Sequence, residues 1–235
     1  MFKFESKIKN NMSIITKPYF DFFEELAHNN NRDWFLANKK RYEKDAKEPF
    51  LRLVEAIVAA LDSTEPDLSL IPSKQMLFRI NRDVRFSKDK RPYKEHLSAS
   101  LARFGTKDKL YPGHYLQLSA GESMMAGGAY FFEEKPMLNK VRQFIADNPE
   151  RFTELIDNQA FKSKWGTIRG EKNKRLPNSD LMEAAEFQPL IFNNQFYWGA
   201  NLTAEMALKD NFPNVLASYF EAAQPLNEFL KEAMY

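Results

Sequence analysis

Apolar residues fall on helical spacing over roughly the first 60 positions, on strand spacing in the middle of the chain, and on helical spacing again to the end. Thr16 can cap a first helix with Pro18 in its first turn, and Phe20, Phe23, Leu26 and Ala27 then share a face. Asn29-Asn30-Asn31 breaks it, and Asn31 or Asp33 starts a second helix through Trp34, Phe35 and Tyr42. Pro49 opens a third. Its Phe50, Leu53, Val54, Ile57, Val58 and Leu61 follow i, i+3, i+4, i+7, i+8, i+11, the strongest periodic signal in the chain. Residues 75–80 read as a strand. His96 to Phe104 alternates Leu97, Ala99 and Leu101 against His96, Ser98 and Ser100, and His114 to Ala120 alternates His114, Leu116 and Leu118 against Tyr115, Gln117 and Ser119. Gly121-Glu122 turns the chain into a strand over 123–132, where we read Gly127-Gly128 as a bulge in preference to a close approach by a ligand or another backbone. Helices return at Pro136 (Leu138, Val141, Ile145), at Pro149 (Phe152, Leu155, Ile156) and over 178–185. Residues 190–202 supply a further strand pair, and one or two helices end the chain. The short links between sequential strands favour an antiparallel meander. The expectation is an α+β fold, with a mainly antiparallel sheet in the middle of the chain packed by N-terminal and C-terminal helices. Residues 12–235 are expected to form one domain behind a mobile tail, residues 1–11.

Composition narrows the chemistry. The chain has 235 residues, 43% hydrophobic and 28% charged, too apolar for disorder. With no cysteine there are no disulfides, thiolate nucleophiles, Cys-zinc sites or iron–sulfur clusters. No apolar run approaches a membrane span, so no membrane partner is expected, and the default location is cytoplasmic.

A net charge of +2 conceals an uneven distribution. Residues 79–96 carry seven Lys/Arg against Asp83, Asp89 and Glu95, and residues 162–175 carry six against Glu171. The rest of the chain is therefore acidic, and two basic segments focus the field. The first holds Arg79, Arg82, Arg85, Lys88, Lys90, Arg91 and Lys94, with Tyr93 as a stacking face. Arginine forks suit carboxylate and phosphate. Two readings follow. The block is an anion cradle, or the acids brace the arginines over the sheet. Because bases outnumber acids, the cradle is favoured. Its expected ligand residues are Arg79, Arg82, Arg85, Lys88, Lys90, Tyr93, Lys94 and His114.

This block and the turn at residues 29–35, with Lys39, Tyr42 and Pro112-Gly113-His114-Tyr115, resemble a widespread microbial family of conserved hypothetical proteins, a domain of unknown function. The resemblance runs from about Tyr19 to the C-terminus. It implies one α+β domain and no reaction. The family often follows a Lys-Arg and Pro with a Gly-Tyr pair, whereas Lys174-Arg175-Leu176-Pro177 is followed here by Asn178-Ser179.

No motif identifies a cofactor, and no metal site is expected. The three histidines are scattered, and His-Glu-x-x-His, phosphate-loop, dinucleotide and nucleophile-elbow motifs are absent. His28 reads as a helix-end residue. His96 and His114 fall on neighbouring strands, where they could approach each other. Asp83, Lys94 and His114 are the residues able to exchange protons near the arginines, with no nucleophile identified. Three functions stay open. The first is a pocket for a small phosphorylated or carboxylated molecule. The second is a nucleic-acid module joining residues 79–94 to 162–175, with Tyr93 or Trp165 exposed. The third is a protein-interaction domain with an aromatic patch over 192–198. The sequence leaves the oligomeric state open.

Overall fold

Pro49 has no N–H to give the carbonyl four residues back, so a regular helix cannot run through it undisturbed. In the computed structural model, which describes residues 13–107 and 109–235, the chain meets this constraint with a π-helical stretch, Tyr42–Lys47, immediately before Pro49. The expected tail, residues 1–11, lies outside the described residues.

Helix α1 (Lys17–His28) begins at Thr16, whose side chain makes no capping bond. It buries Tyr19, Phe22, Phe23 and Leu26, a face one residue round from the expected one. Asn31 caps α2 (Arg32–Ala37) by accepting from the Trp34 N–H at 3.0 Å. The turn α3 (Lys39–Arg41) and the π stretch lead into α4 (Glu48–Ala60), whose whole predicted stripe is buried. The strand expected over 75–80 is not formed. Ser73 starts a helical turn after Pro72, α5 (Ser73–Met76), and the chain then runs extended with single bridges, Leu77 to Ala99 and Asn81 to Tyr93.

Four strands follow, β1 (His96–Leu101), β2 (Gly113–Ser119), β3 (Ser123–Ala129) and β4 (Phe196–Leu202), in an antiparallel sheet of order β1-β2-β3-β4. Between β3 and β4 the chain makes α6 (Lys135–Asp147), α7 (Pro149–Asp157), α8 (Gln159–Trp165) and α9 (Ser179–Phe187). It closes with α10 (Ala204–Ala207) and the long α11 (Phe212–Met234), which passes through Pro225 as one helix. The fold is α+β, as the patterning implies. Only β4 appears where a strand pair is expected, because Pro189–Phe192 takes a 3-10 turn.

The inner face of the sheet, with Leu97, Ala99, Leu116, Leu118, Met125, Phe196 and Trp198, packs on α4, α8 and α11. Tyr19 ties α1 to it by donating to the Leu118 carbonyl at 3.0 Å. The register runs unbroken through Gly127 and Gly128 on both sides, which excludes the expected bulge. The glycines serve a close approach instead: a Cβ on Gly127 would stand 2.7 Å from Trp198 Nε1. The basic connector after α8 lies along the free edge of β4 through bridges Arg169 to Tyr197 and Lys172 to Asn193. Charged residues on such a strip discourage a further chain from pairing there. Among the described residues no helix is long and apolar enough to cross a membrane.

Candidate functional site

Three main-chain contacts close the basic block into a loop. Asn81 bridges Tyr93, the Arg82 N–H donates to Pro92 O at 2.9 Å, and the Lys94 N–H donates to Ile80 O at 2.8 Å. Asn30, in the turn between α1 and α2, clamps the stem. Its amide donates to Tyr93 O at 3.0 Å and accepts from the Tyr93 N–H at 3.1 Å. The Tyr93 ring stacks on Phe35 with centroids 4.0 Å apart and is 7% exposed. Tyr93 therefore packs the stem, and the expectation of a free stacking face is corrected. Two of the sequence blocks behind the family resemblance, the turn at residues 29–35 and the basic block, thus form one structural unit.

Within the loop the acids take up three arginines. Arg82 donates to Asp89 at 2.8 Å and to Arg91 O at 3.1 Å. Arg85 grips Asp83 at 2.7 and 3.0 Å, and Arg91 binds Asp89 and Glu95. The Arg85 hydrogen bonds hold the Asp83 carboxyl below its ordinary range, and those of Arg91 and then Arg82 do the same for Asp89. Lys90 donates to Val84 O at 3.0 Å. Lys88 is exposed, and Phe86 stands almost bare near the loop tip. Arg82, Arg85, Arg91 and Lys90 thus hold the loop's shape.

Arg79 and Lys94 are different. Among the described residues neither has a carboxylate within ion-pair distance. The Lys94 ammonium sits over the Phe78 ring, 5.3 Å from its centroid, and Phe78 packs against Tyr115 on the outer face of the sheet. His96 points to that same face, opposite Ser119. Burial, then the charges of Arg79 and Lys109, lower the Lys94 pKa, and burial with the Lys94 charge pushes His96 down to about 4. Cations are gathered here against their mutual repulsion.

His114 does not join them. It pairs with Leu101 across β1 and β2 on the inner face, so His96 and His114 point to opposite sides of the sheet and do not approach. Its Nε2 lies 2.6 Å from Glu65 Oε1, its ring stacks on Phe220 at 4.4 Å, and its Nδ1 is 3.5 Å from the Asn227 amide nitrogen. Burial acts to raise the Glu65 carboxyl, but the charge and hydrogen bond of His114, with Lys231, bring it below its ordinary value. The three proton-exchanging candidates are therefore apart: Asp83 in the loop, Lys94 at its base, His114 behind the sheet. Glu65 was missed by sequence reasoning. One signal was present, since a histidine alternating with Leu116 and Leu118 on an apolar face requires a buried partner. Nothing in the loop around Glu65 marks it as that partner. Among the described residues no group of three metal-ligating side chains is assembled.

A four-stranded antiparallel sheet, helices on its inner face and a braced basic loop at its edge define an α+β protein with a cationic patch outside the core. The chain belongs to DUF2461, a family of conserved hypothetical proteins whose profile matches residues 18–229. No curated protein and no solved structure matches it.

Proposed function

We propose that this protein binds a small anionic molecule, phosphorylated or carboxylated, at Arg79 and Lys94, with His96 beside them. The observation that carries the reading is the Lys94 ammonium over Phe78 within reach of the Arg79 charge, with the Asp83 carboxylate that the Arg79 charge also reaches already gripped by Arg85. Like charges held together cost stability, and an incoming anion relieves that cost. The braced arginines keep the loop in place rather than touching ligand. Acid–base catalysis within this reading falls to Lys94, whose pKa is lowered. A cytoplasmic setting belongs to the same proposal. The nucleic-acid alternative loses Tyr93 and Trp165 as stacking faces, since both are buried, and keeps the exposed Phe86 at the loop tip. The interaction-domain alternative needs an exposed patch over 192–198, where Phe196 and Trp198 are fully buried.

The test is a thermal-shift and calorimetric screen of phosphorylated and carboxylated metabolites on four proteins: wild type, Arg79→Ala, Lys94→Met and Arg82→Ala. A ligand at ~100 times its dissociation constant adds about 2.7 kcal/mol, roughly 5–11 °C at this size. Arg79→Ala and Lys94→Met should each weaken that ligand about tenfold or more while leaving the melting temperature unchanged or higher. Arg82→Ala should lower the melting temperature, by about 1 kcal/mol of stability, and keep the ligand. Binding that survives both Arg79→Ala and Lys94→Met, or no ligand anywhere in the screen, overturns the reading.

A further inference from the structure

Behind the sheet lies a cleft of about 140 Å³, between the loop after α4, the end of β1, the start of β2 and the last turns of α11. Its size is well under the ~300–1,000 Å³ of pockets for drug-sized ligands, so it suits a compact molecule. Its lining holds three acids, Glu65, Asp67 and Glu228, and two bases, Arg103 and Lys231. Glu65 lines it with a side chain only 8% exposed, and its partner His114 is fully buried. Lys231 and Glu228 pair with each other on the α11 wall at 2.7 Å, with the Lys231 ammonium over the Tyr111 ring. Asp67 and Arg103 are exposed members of the lining; the Arg103 guanidinium lies over the Phe104 ring, 5.3 Å from its centroid, and among the described residues has no carboxylate at ion-pair distance.

A carboxylate can accept about four hydrogen bonds. Glu65 spends one oxygen on His114, which leaves acceptor capacity in a partly dry site. The Glu65 charge already has those of His114 and Lys231 beside it, and a cationic donor in the cleft fills the acceptor sites they leave. An arginine fork calls for a carboxylate. Glu65 and the unpaired Arg103 therefore ask for opposite charges on one small molecule, and Asp67 adds a second acid to the lining.

We propose that this cleft binds a small zwitterion of free amino-acid size, its ammonium on Glu65 and its carboxylate toward Arg103 and Lys231. The site lies on the other side of the sheet from Arg79 and Lys94 and does not depend on them. His114 and Asn227 act as positioning residues. His114 fixes the Glu65 carboxylate from behind, and Asn227, fully buried, closes the far side of the imidazole.

The test is calorimetry at neutral pH with glycine, alanine, serine and γ-aminobutyrate as probes, and ethylamine and acetate as half-molecules. At least one zwitterion should bind about tenfold or more tightly than either half. Glu65→Gln should weaken it about tenfold or more. Glu65 is a buried partner of His114, so its variant is read only where a thermal melt shows it folded, and Arg103→Ala, at an exposed position, carries the test independently. It should weaken the zwitterion by a similar factor and leave ethylamine unchanged. Lys94→Met should leave zwitterion binding intact whether or not the anion site exists. No heat from any zwitterion at about 10 mM overturns the proposal. So does acetate binding as tightly as the zwitterions, or zwitterion binding that Lys94→Met abolishes and Arg103→Ala does not.

Discussion

His96 shows how one residue records the character of its surroundings. Its ordinary pKa of 6.5 falls to about 4, through burial first and the Lys94 charge second. The folded protein then binds fewer protons than the unfolded chain between those values, so stability is fully present above the ordinary pKa and drains away as pH falls toward 4. With allowance for its partial exposure the loss is roughly 2 kcal/mol. Denaturant melts from pH 7 down to 4.5 should show that slope in wild type and a flatter one in His96→Gln. Glu65 adds its own loss only at lower pH, because its carboxyl is depressed below 4.5. If an anion binds beside His96 it raises that pKa, and binding should tighten as pH falls from 7 to 5 with uptake of a proton. At this scale the sequence was partly legible. It supplied the basic block and the choice between cradle and brace, but not the pairing. Arg85 finds Asp83 two residues back and Arg82 finds Asp89 seven residues on, contacts set by the path of a closed loop and not by spacing.

Elements were readable where one face is buried and one is wet. The α4 stripe and the β1 and β2 alternations follow that rule and could be read from period alone. Residues 75–80 broke it, because Pro72 favours a helical turn at Ser73 and the extended residues beyond make only isolated bridges. The Gly127-Gly128 pair was visible as unusual, but its cause was not, since Trp198 lies some 70 residues away in the chain. Gly128 has φ of +97°, and a Cβ there would collide with the Phe196 carbonyl oxygen, which is backbone and cannot yield. Gly128→Ala should therefore cost at least about 2–3 kcal/mol. Gly166 shares a positive φ, +75°, but a Cβ there meets nothing within 4 Å. Gly166→Ala should cost only about 1 kcal/mol, the strain alone. Urea denaturation of the two variants side by side separates collision from strain, and equal losses would contradict the account.

Across the whole molecule, long-range packing joins segments that the sequence presents as separate blocks. One apolar cluster runs from Ile15 to Met234, and α11 touches α4, α6, α7, α8 and β3. The N-terminal helices reach the same cluster through Phe22, Phe50 and Tyr19. The sheet and α4 both lean on α11, so loss of α11 should expose them together, while α1 and α2 pack through Phe22, Phe35 and Tyr42 on the π stretch that leads into α4. The three tryptophans sample this from different places: Trp34 in α2, Trp165 at the end of α8 and stacked on Phe220, and Trp198 beneath β3. Urea unfolding followed by tryptophan fluorescence and by far-ultraviolet circular dichroism should give coincident transitions for the wild type. Single-tryptophan variants, made with phenylalanine at the other two positions, should share one midpoint. A separate early transition reported by Trp34 alone would mean that the N-terminal helices form their own cooperative unit and would overturn the expectation of one domain.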